Sequence, residues 1–407
     1  MLTLKRLLLG LALLLFALAP GLQAQEAAEP ALIPEGETVK IGVVVDLSSS
    51  IVSSGLDIAQ AATLAVEQFN TENEGILGFT VEALIEDDLC DSEAALEVAE
   101  VFLEDPTLVA VLGHTCSGAS IPASELYEEA RIPMVSASST AGLFTARDLD
   151  VTNRVVFNDN LQGLVAARVI AEVLEAETIV IIHNGTAYGE GIAATVAETF
   201  TDLDGEVLAV EVVARDQSNF EDLVAAVADL GPDLIYFAGY SAEGSLLVDS
   251  LRAEAALDDT IIFSADGLYN QDFLDFAGPA SEGTYITFGI QQGDPEAYET
   301  FVSQYEEFFG IRPQELGNYH SQAYDAANII MLALAEVAEL DGEGNLLIDR
   351  EALIAAIRAT ADYPGLSGNI TCDENGDCAS VQMAVFQVQE GAWVEIPVPD
   401  ELQPGAE

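Results

Sequence analysis

Positive charge is scarce in this sequence. Lysine and arginine together number 12, against 70 aspartates and glutamates, and the formal charge over 407 residues is −58. Phosphate backbones repel such a chain, which excludes nucleic acid as a partner. The acids are spread along the whole sequence, which points to a strongly solvated surface for a salty or acidic medium rather than a local site for a cationic partner. Histidine occurs only as His114, His183 and His320, and no Gly-x-Ser-x-Gly elbow accompanies it, so hydrolytic chemistry lacks a recognisable nucleophile and base. The four cysteines form no Cys-x-x-Cys pair, and no histidine lies near Cys372, which makes zinc a weak reading. No metal or cofactor is expected. Beyond the first 24 residues, no apolar run is long enough to span a bilayer.

What is present begins with Lys5 and Arg6, an apolar run from Leu7 to Ala19, and Leu22-Gln23-Ala24 before Gln25. This pattern predicts a secretory signal peptide over residues 1–24, cleaved near Ala24. No cysteine precedes Cys90, so the segment does not end in a lipid-anchored cysteine. The mature protein is expected in the periplasm or another extracytoplasmic space, soluble, not inserted in the membrane, and by default monomeric. In that setting an even cysteine count implies disulfides. Of the three possible pairings, Cys90–Cys116 with Cys372–Cys378 is preferred. The second pair brackets the turn DENGD, and the first would close a loop of one helix and one strand, a constraint of about 3 kcal/mol.

Removing 24 of 407 residues leaves 383, enough for two or three domains with their own cores. Residues 25–37 are rich in Glu, Ala and Pro and are expected to be a disordered leader. After them, apolar runs alternate with amphipathic helical patterns. The first series runs from Lys40–Val45 to Ile132–Val135 and includes a helix over Asp57–Asn70 and one that Ser92 could cap. The second runs from Gly163–Ala176 to a strand at Thr260–Ser264. Continuous Val/Ile/Leu strands separated by helices predict an α/β fold of two doubly wound, Rossmann-like lobes with parallel central sheets. Helices over Pro295–Phe309, Tyr319–Leu340 and Arg350–Thr360, then a hairpin over Val381–Val388 and Trp393–Ile396, predict that the chain crosses between the lobes more than once.

Ligands of open α/β sheets sit beyond the carboxyl ends of the strands. The runs Val109–Leu112 and Ile132–Val135 each stop in a hydroxyl-rich loop. One carries Thr115, Ser117 and Ser120, the other Ser136, Ser138, Ser139 and Thr140. Together they form a polar cradle suited to a carboxylate. Other strand ends supply DLSSSIVSSG at 46–55, HNGTAYGEG at 183–191, Tyr240 and Asp266. Each loop alone reads as ordinary turn chemistry; six at the same sheet edges, with two tyrosines, read as a small-molecule cleft. Asp266 is two residues past its strand, but the next helix begins only near Asn270, so capping does not account for it. A carboxylate facing the cleft would pair with an ammonium. Gly189-Glu190-Gly191-Ile192-Ala193-Ala194 fits a dinucleotide fingerprint, yet six residues separate it from the strand end at Ile182. Its glycines are assigned to close helix packing, and Trp393 to hairpin or core packing.

The segments EDDLCD at 86–91, LGHTCSGASIPAS at 112–124, TAR at 145–147, HNGTAYGEG at 183–191, AGY at 238–240 and YDAAN at 324–328 resemble the type I periplasmic binding proteins. Their leucine/isoleucine/valine-binding branch, from amino-acid ABC transporters, is the most similar, and the resemblance runs from about Val39 to Val394. It implies two lobes joined by a three-crossover hinge: residues 38–158 with 290–371, and residues 159–289 with 372–400, followed by a tail at 401–407. It implies a bridge between Cys90 and Cys116, and a ligand set of Ser117, Ser138, Ser139, Thr140, Tyr188, Tyr240, Asp266 and Tyr319, with Thr115, Cys116 and Ser54 beside them. Ser117, Ser138 and Thr140 would hold a carboxylate, and Asp266, where the branch often carries Glu, an ammonium. Ser54 falls where the family has an aromatic ring, which makes the side-chain end roomier or more polar.

The expected function is therefore the solute-binding component of an ABC importer, with a membrane permease as partner. It would bind an α-amino acid, apolar or branched-chain, and would not be an enzyme. A sensor or binder for another small carboxylate or amide is the alternative, and a secreted hydrolase the least favoured.

Overall fold

The computed structural model describes residues 29–215, 217–290, 293–379 and 382–403. The signal segment expected at 1–24 lies outside them. In the first lobe, strands Val81–Asp87, Val39–Val45, Leu108–Gly113, Met134–Ser136 and Thr152–Arg154 lie side by side in that order, all parallel. In the second, the order is Ala392–Ile396, Gln382–Gln389, Tyr285–Ile290, Ile261–Ser264, Leu234–Ala238, Thr178–His183 and Glu206–Val212. The late hairpin joins this sheet antiparallel at one edge, and the other five strands are parallel. Leu108–Gly113 and Leu234–Ala238 are buried at every position, as strands covered on both faces must be. The edge strands Glu206–Val212 and Ala392–Ile396 have no buried position.

Helices α1 (Val52–Asn73), α2 (Ser92–Leu103) and α3 (Ser117–Ala130) connect the first sheet. Helices α4 (Asp159–Arg168), α5 (Ala187–Asp202), α6 (Glu221–Leu230), α7 (Ser241–Arg252) and α8 (Gln271–Ala277) belong to the second. The chain then returns through α9 (Pro295–Phe309), α10 (His320–Val337) and α11 (Arg350–Arg358). Tyr305 and Tyr324 bind Gln60 and Gln68 of α1 through their hydroxyls, which fixes α9 and α10 to the first lobe. The lobes are thus joined three times, after Arg154, Ile290 and Cys378.

Several local expectations change. Asp91, not Ser92, caps α2 by accepting the N–H groups of Glu93 and Ala94. Helix α10 stops at Val337, because Ala338–Leu340 pairs with Leu346–Ile348. The leader expected over 25–37 is partly structured: Ala31–Ile33 pairs with the same strand, and Ala31 and Ile33 are buried. The alternation of an Ala-Leu-Ile triplet outweighed the surrounding Pro and Glu. Residues 401–403 of the expected tail also dock, since Leu402 is buried and Gln403 exchanges two hydrogen bonds with the Met383 backbone. Residues 372–378, expected with the second lobe, lie against the first. Asp377 pairs with Arg154, and Cys378 N–H donates to Arg154 O. A buried arginine in the first lobe drew the acidic loop to it. Both expected disulfides form, with Cα–Cα separations of 5.3 and 3.7 Å.

Candidate functional site

The loops after the parallel strands converge between the lobes on a small cavity. Ser54, Thr115, Ser117, Ser138 and Thr140 line it from the first lobe, joined by Tyr319 at the start of α10. Tyr188, Tyr240 and Asp266 line it from the second. Nine of the eleven residues expected at the site therefore share one cavity. Cys116 does not line it; it is bonded to Cys90 and immediately precedes α3. Ser139 turns away, its hydroxyl meeting Ser120 Oγ at 2.6 Å and His114 O at 3.1 Å. Ile51, Gly267 and Asn270 complete the wall and were not anticipated.

The cradle is built by hydroxyls and helix geometry. Helix α3 begins at Ser117, so its first turn borders the cavity. The His114 carbonyl collects hydrogen bonds from Ser120, Ser136 and Ser139, which staples the two loops together. Ser138 Oγ donates to Thr115 O at 2.8 Å, and Ala141 N–H to Ser117 Oγ at 3.1 Å. Beneath the second loop lies Arg154, fully buried. Its Nη1 donates to the carbonyls of Ser139, Thr140 and Ala141 at 3.2, 2.9 and 2.9 Å. Asp377 accepts from its Nε, and Thr145 Oγ1 from its Nη2. His114 and His183 stand at strand ends, where a histidine side chain can bond loop backbone. His183 does, accepting Gly185 N–H, and His114 bonds Asp88 and Tyr127 side chains while its carbonyl serves the loops.

The opposite wall is anionic and aromatic. Asp266 caps no helix; Asn270 caps α8 by accepting Phe273 N–H. Asp266 Oδ1 instead accepts the hydroxyl of Tyr188 at 2.9 Å, and Oδ2 that of Tyr319 at 2.6 Å. Tyr188 also accepts Gly267 N–H at 3.0 Å and stacks on Tyr240 with centroids 5.3 Å apart. A Cβ on Gly267 would lie 2.2 Å from Gly239 O, so only glycine fits there. Tyr319 is fixed by its own N–H, which donates to Asp57 of α1, itself bonded to His320. Burial pushes the Asp266 carboxyl up, and the tyrosine hydroxyls pull against that shift. Asp159, at the first turn of α4, is also buried, with neither oxygen hydrogen-bonded among the described residues. Burial, then repulsion from Asp266, pushes it well above its ordinary range. Two adjacent buried carboxyls call for a cation or a proton.

Of the supposed fingerprint glycines, Gly189 packs closely, a Cβ there meeting Asn184 Oδ1 at 2.4 Å and Ala238 O at 2.6 Å. Gly191 has open space around it, contrary to the packing role expected of it. No group of three or more His, Cys, Asp or Glu side chains positioned for a metal occurs among the described residues. Nor does any described helix have the length and apolarity to cross a membrane.

The family model described as "Periplasmic binding protein" matches residues 38–392. The leucine-, isoleucine-, valine-, threonine- and alanine-binding protein of Pseudomonas aeruginosa is 30% identical over 360 residues, 88% of this chain and 91% of that one. A leucine-binding protein from Thermotoga maritima superimposes with a TM-score of 0.78 at 25% identity, covering 88% of this chain and 98% of the other. A branched-chain amino-acid transporter substrate-binding protein from Streptococcus pneumoniae, in complex with isoleucine, gives 0.76 at 22% identity, covering 88% and 100%.

Proposed function

This chain belongs to the periplasmic binding protein family, in its leucine/isoleucine/valine-binding branch, whose members bind solutes without transforming them; from that premise we propose that it delivers an α-amino acid to an ABC importer. The protein works outside the cytoplasm and hands its ligand to a membrane permease. The observation that carries the reading is the pairing of two unlike walls in one cavity. Hydroxyls at Ser117, Ser138 and Thr140 face the tyrosine-held carboxylate of Asp266. A zwitterion satisfies both at once. Its carboxylate meets hydroxyl and helix-start N–H donors, and its ammonium meets Asp266, with Asp159 behind. Contacts made to both lobes exist only when they are closed, so ligand binding and closure are one equilibrium.

The remaining wall, Ile51, Ser54 and Thr115, faces the side chain of the ligand. It carries no aromatic ring, and Thr115 Oγ1 is buried without a hydrogen-bond partner among the described residues. A compact or branched apolar side chain fits, and threonine adds a hydroxyl for Thr115. The P. aeruginosa relative, whose name includes threonine and alanine, agrees with this range. The test is thermal shift and calorimetry with L-leucine, L-valine, L-threonine and L-alanine beside 4-methylpentanoate and isopentylamine, which each keep one end of leucine. Binding is expected only from compounds with both ends. A response to 4-methylpentanoate equal to that of any amino acid overturns the role of Asp266.

A further inference from the structure

One cation reaches across the mouth of the cleft. Arg215 follows edge strand Glu206–Val212 of the second lobe, and the hydrogen bonds of its guanidinium all go to the first. Nη1 donates to Cys90 O at 2.6 Å, and Nη2 to Leu89 O at 3.1 Å and Ser50 Oγ at 2.9 Å. The same group lies 6.0 Å from the centroid of Tyr240, whose ring stacks on Tyr188 in the cavity wall.

The acceptors are prepared for it. Leu89 and Cys90 are consecutive left-handed residues, with φ of +56° and +55°, a conformation that side chains other than glycine rarely adopt. Asp88 Oδ1 holds the turn through Cys90 N–H, and the bond to Cys116 ties it to the residue before Ser117. Ser50 is held by Asp46 Oδ2 through its N–H. Charge makes the arrangement matter. Glu86, Asp87, Asp88 and Asp91 surround the turn in a chain of formal charge −58, so closure brings two anionic surfaces together. Ser53 N–H to Asp272, Tyr319 to Asp266, Asn318 Nδ2 to Tyr269 O and Gln271 N–H to Leu316 O also bridge the lobes, and these bonds involve no basic group.

We propose that Arg215 is a closure latch, a positioning residue that holds the acidic lobes shut while lining no part of the cavity itself. Through Leu89 and Cys90 it reads whether the disulfide-tied turn is in place, and through Tyr240 it steadies the aromatic wall. The proposal rests on the clamp reading of the two lobes but not on which amino acid is bound.

Closure can be measured without a ligand. A Cβ on Gly118 of α3 would lie 4.0 Å from Cβ of Thr186, which caps α5 in the opposite lobe. That separation suits a disulfide, so a Gly118→Cys, Thr186→Cys pair oxidises when the lobes meet. The trapping rate, read by alkylation and peptide mapping on the full mature protein, then reports the closed population. Arg215→Gln is expected to slow trapping by about tenfold, the scale of one lost charged hydrogen bond. Arg215→Lys, a point charge that cannot span three acceptors, should fall between the two, and Ser50→Ala should slow trapping less. A merely structural arginine would lower the melting temperature and leave the trapping rate unmoved. Equal trapping rates with and without the Arg215→Gln substitution, in folded proteins, overturn the latch, as does absence of trapping when Arg215 is retained. Failure of the amino-acid panel, with trapping still dependent on Arg215, would count against the ligand assignment alone.

Discussion

Tyr319 and Asp266 meet across the cleft, the tyrosine hydroxyl donating to Asp266 Oδ2 at 2.6 Å. Tyr319 belongs to the first lobe through its N–H bond to Asp57, while Asp266 sits at a strand end of the second. The bond exists only with the lobes together, so it contributes to closure and also orients the carboxylate. Tyr319→Phe keeps the ring against Phe288, 5.5 Å away between centroids, and removes only the hydroxyl. Losing one hydrogen bond to a charged group is expected to weaken L-leucine or L-threonine binding by about tenfold to a hundredfold. Calorimetry checks this, with an unchanged melting temperature as the control for folding.

Arg154 supports the cradle without reaching the ligand. Its three carbonyl acceptors are the backbone of Ser139–Ala141, and Asp377 balances its charge. Burial opposes ionisation of Asp377, but the Arg154 charge together with hydrogen bonds from Arg154, Asn158 and Thr145 outweighs it and holds the carboxyl below its ordinary range. Arg154→Met leaves three carbonyls and one carboxylate without their partner. It is expected to cost about 3 kcal/mol of stability. Because Thr140 loses its support, amino-acid affinity should fall too. Denaturant unfolding and calorimetry on the same protein check both effects. Unchanged affinity in a folded Arg154→Met protein would confine the residue to a structural role.

The visibility of these features in the sequence followed their distance along the chain. Parallel strands announced themselves as buried runs, and ligands of such sheets sit past the strand ends, so Ser117, Ser138 and Asp266 were readable from their positions. Asp266 was legible because the next helix has its own cap in Asn270. Tyr319 came from family resemblance alone, since nothing local marks a residue before a helix as a cleft residue. Ser139 was misread because alternate hydroxyls of a loop turn to opposite sides, and only the fold shows that His114 O claims this one. Asp159, Arg154 and Arg215 were missed because their partners lie far off in sequence. For Arg154 a signal existed: an arginine inside the apolar strand region VTNRVVF must have buried partners.

The Asp159–Asp266 pair predicts proton-linked binding. Both carboxyls are raised, chiefly by burial, so on mild acidification the ligand-free pair takes up a proton before an exposed aspartate would. An ammonium held at Asp266, with Asp159 behind, favours the ionised forms and expels that proton. Affinity for L-leucine or L-threonine should therefore fall as the pH drops through the raised carboxyl range, above the ordinary value of about 3.9. Calorimetry in buffers of different ionisation enthalpy should register proton release to the buffer. Asp159→Asn should reduce it. Buffer-independent enthalpies throughout the acid range would show that the pair is ionised before binding.

Stability should respond to acid in the opposite sense from that of a salt-bridged protein. Asp325 on α10 is buried, and its carboxyl is pushed up to about 6 although Leu366 and Ser367 donate to it. Its folded value lies above the unfolded value of about 3.9, so the folded state binds more protons between the two and stability falls as pH rises through that window. The difference corresponds to about 3 kcal/mol once Asp325 is fully ionised. Self-repulsion in a chain of charge −58 acts in the same direction, because protonating surface acids relieves it. Below about pH 4 the trend reverses, as carboxylates whose folded values are lowered, such as Asp105 and Asp377, lose their partners. The melting temperature should therefore be higher at about pH 5 than at about pH 8, and added salt should raise it most at the alkaline end, where repulsion is greatest. Asp325→Asn, which keeps the shape and removes the titration, should flatten the slope between about pH 4 and about pH 6 while leaving the salt response intact. If the slope persists in that variant, the surface charge rather than Asp325 sets it.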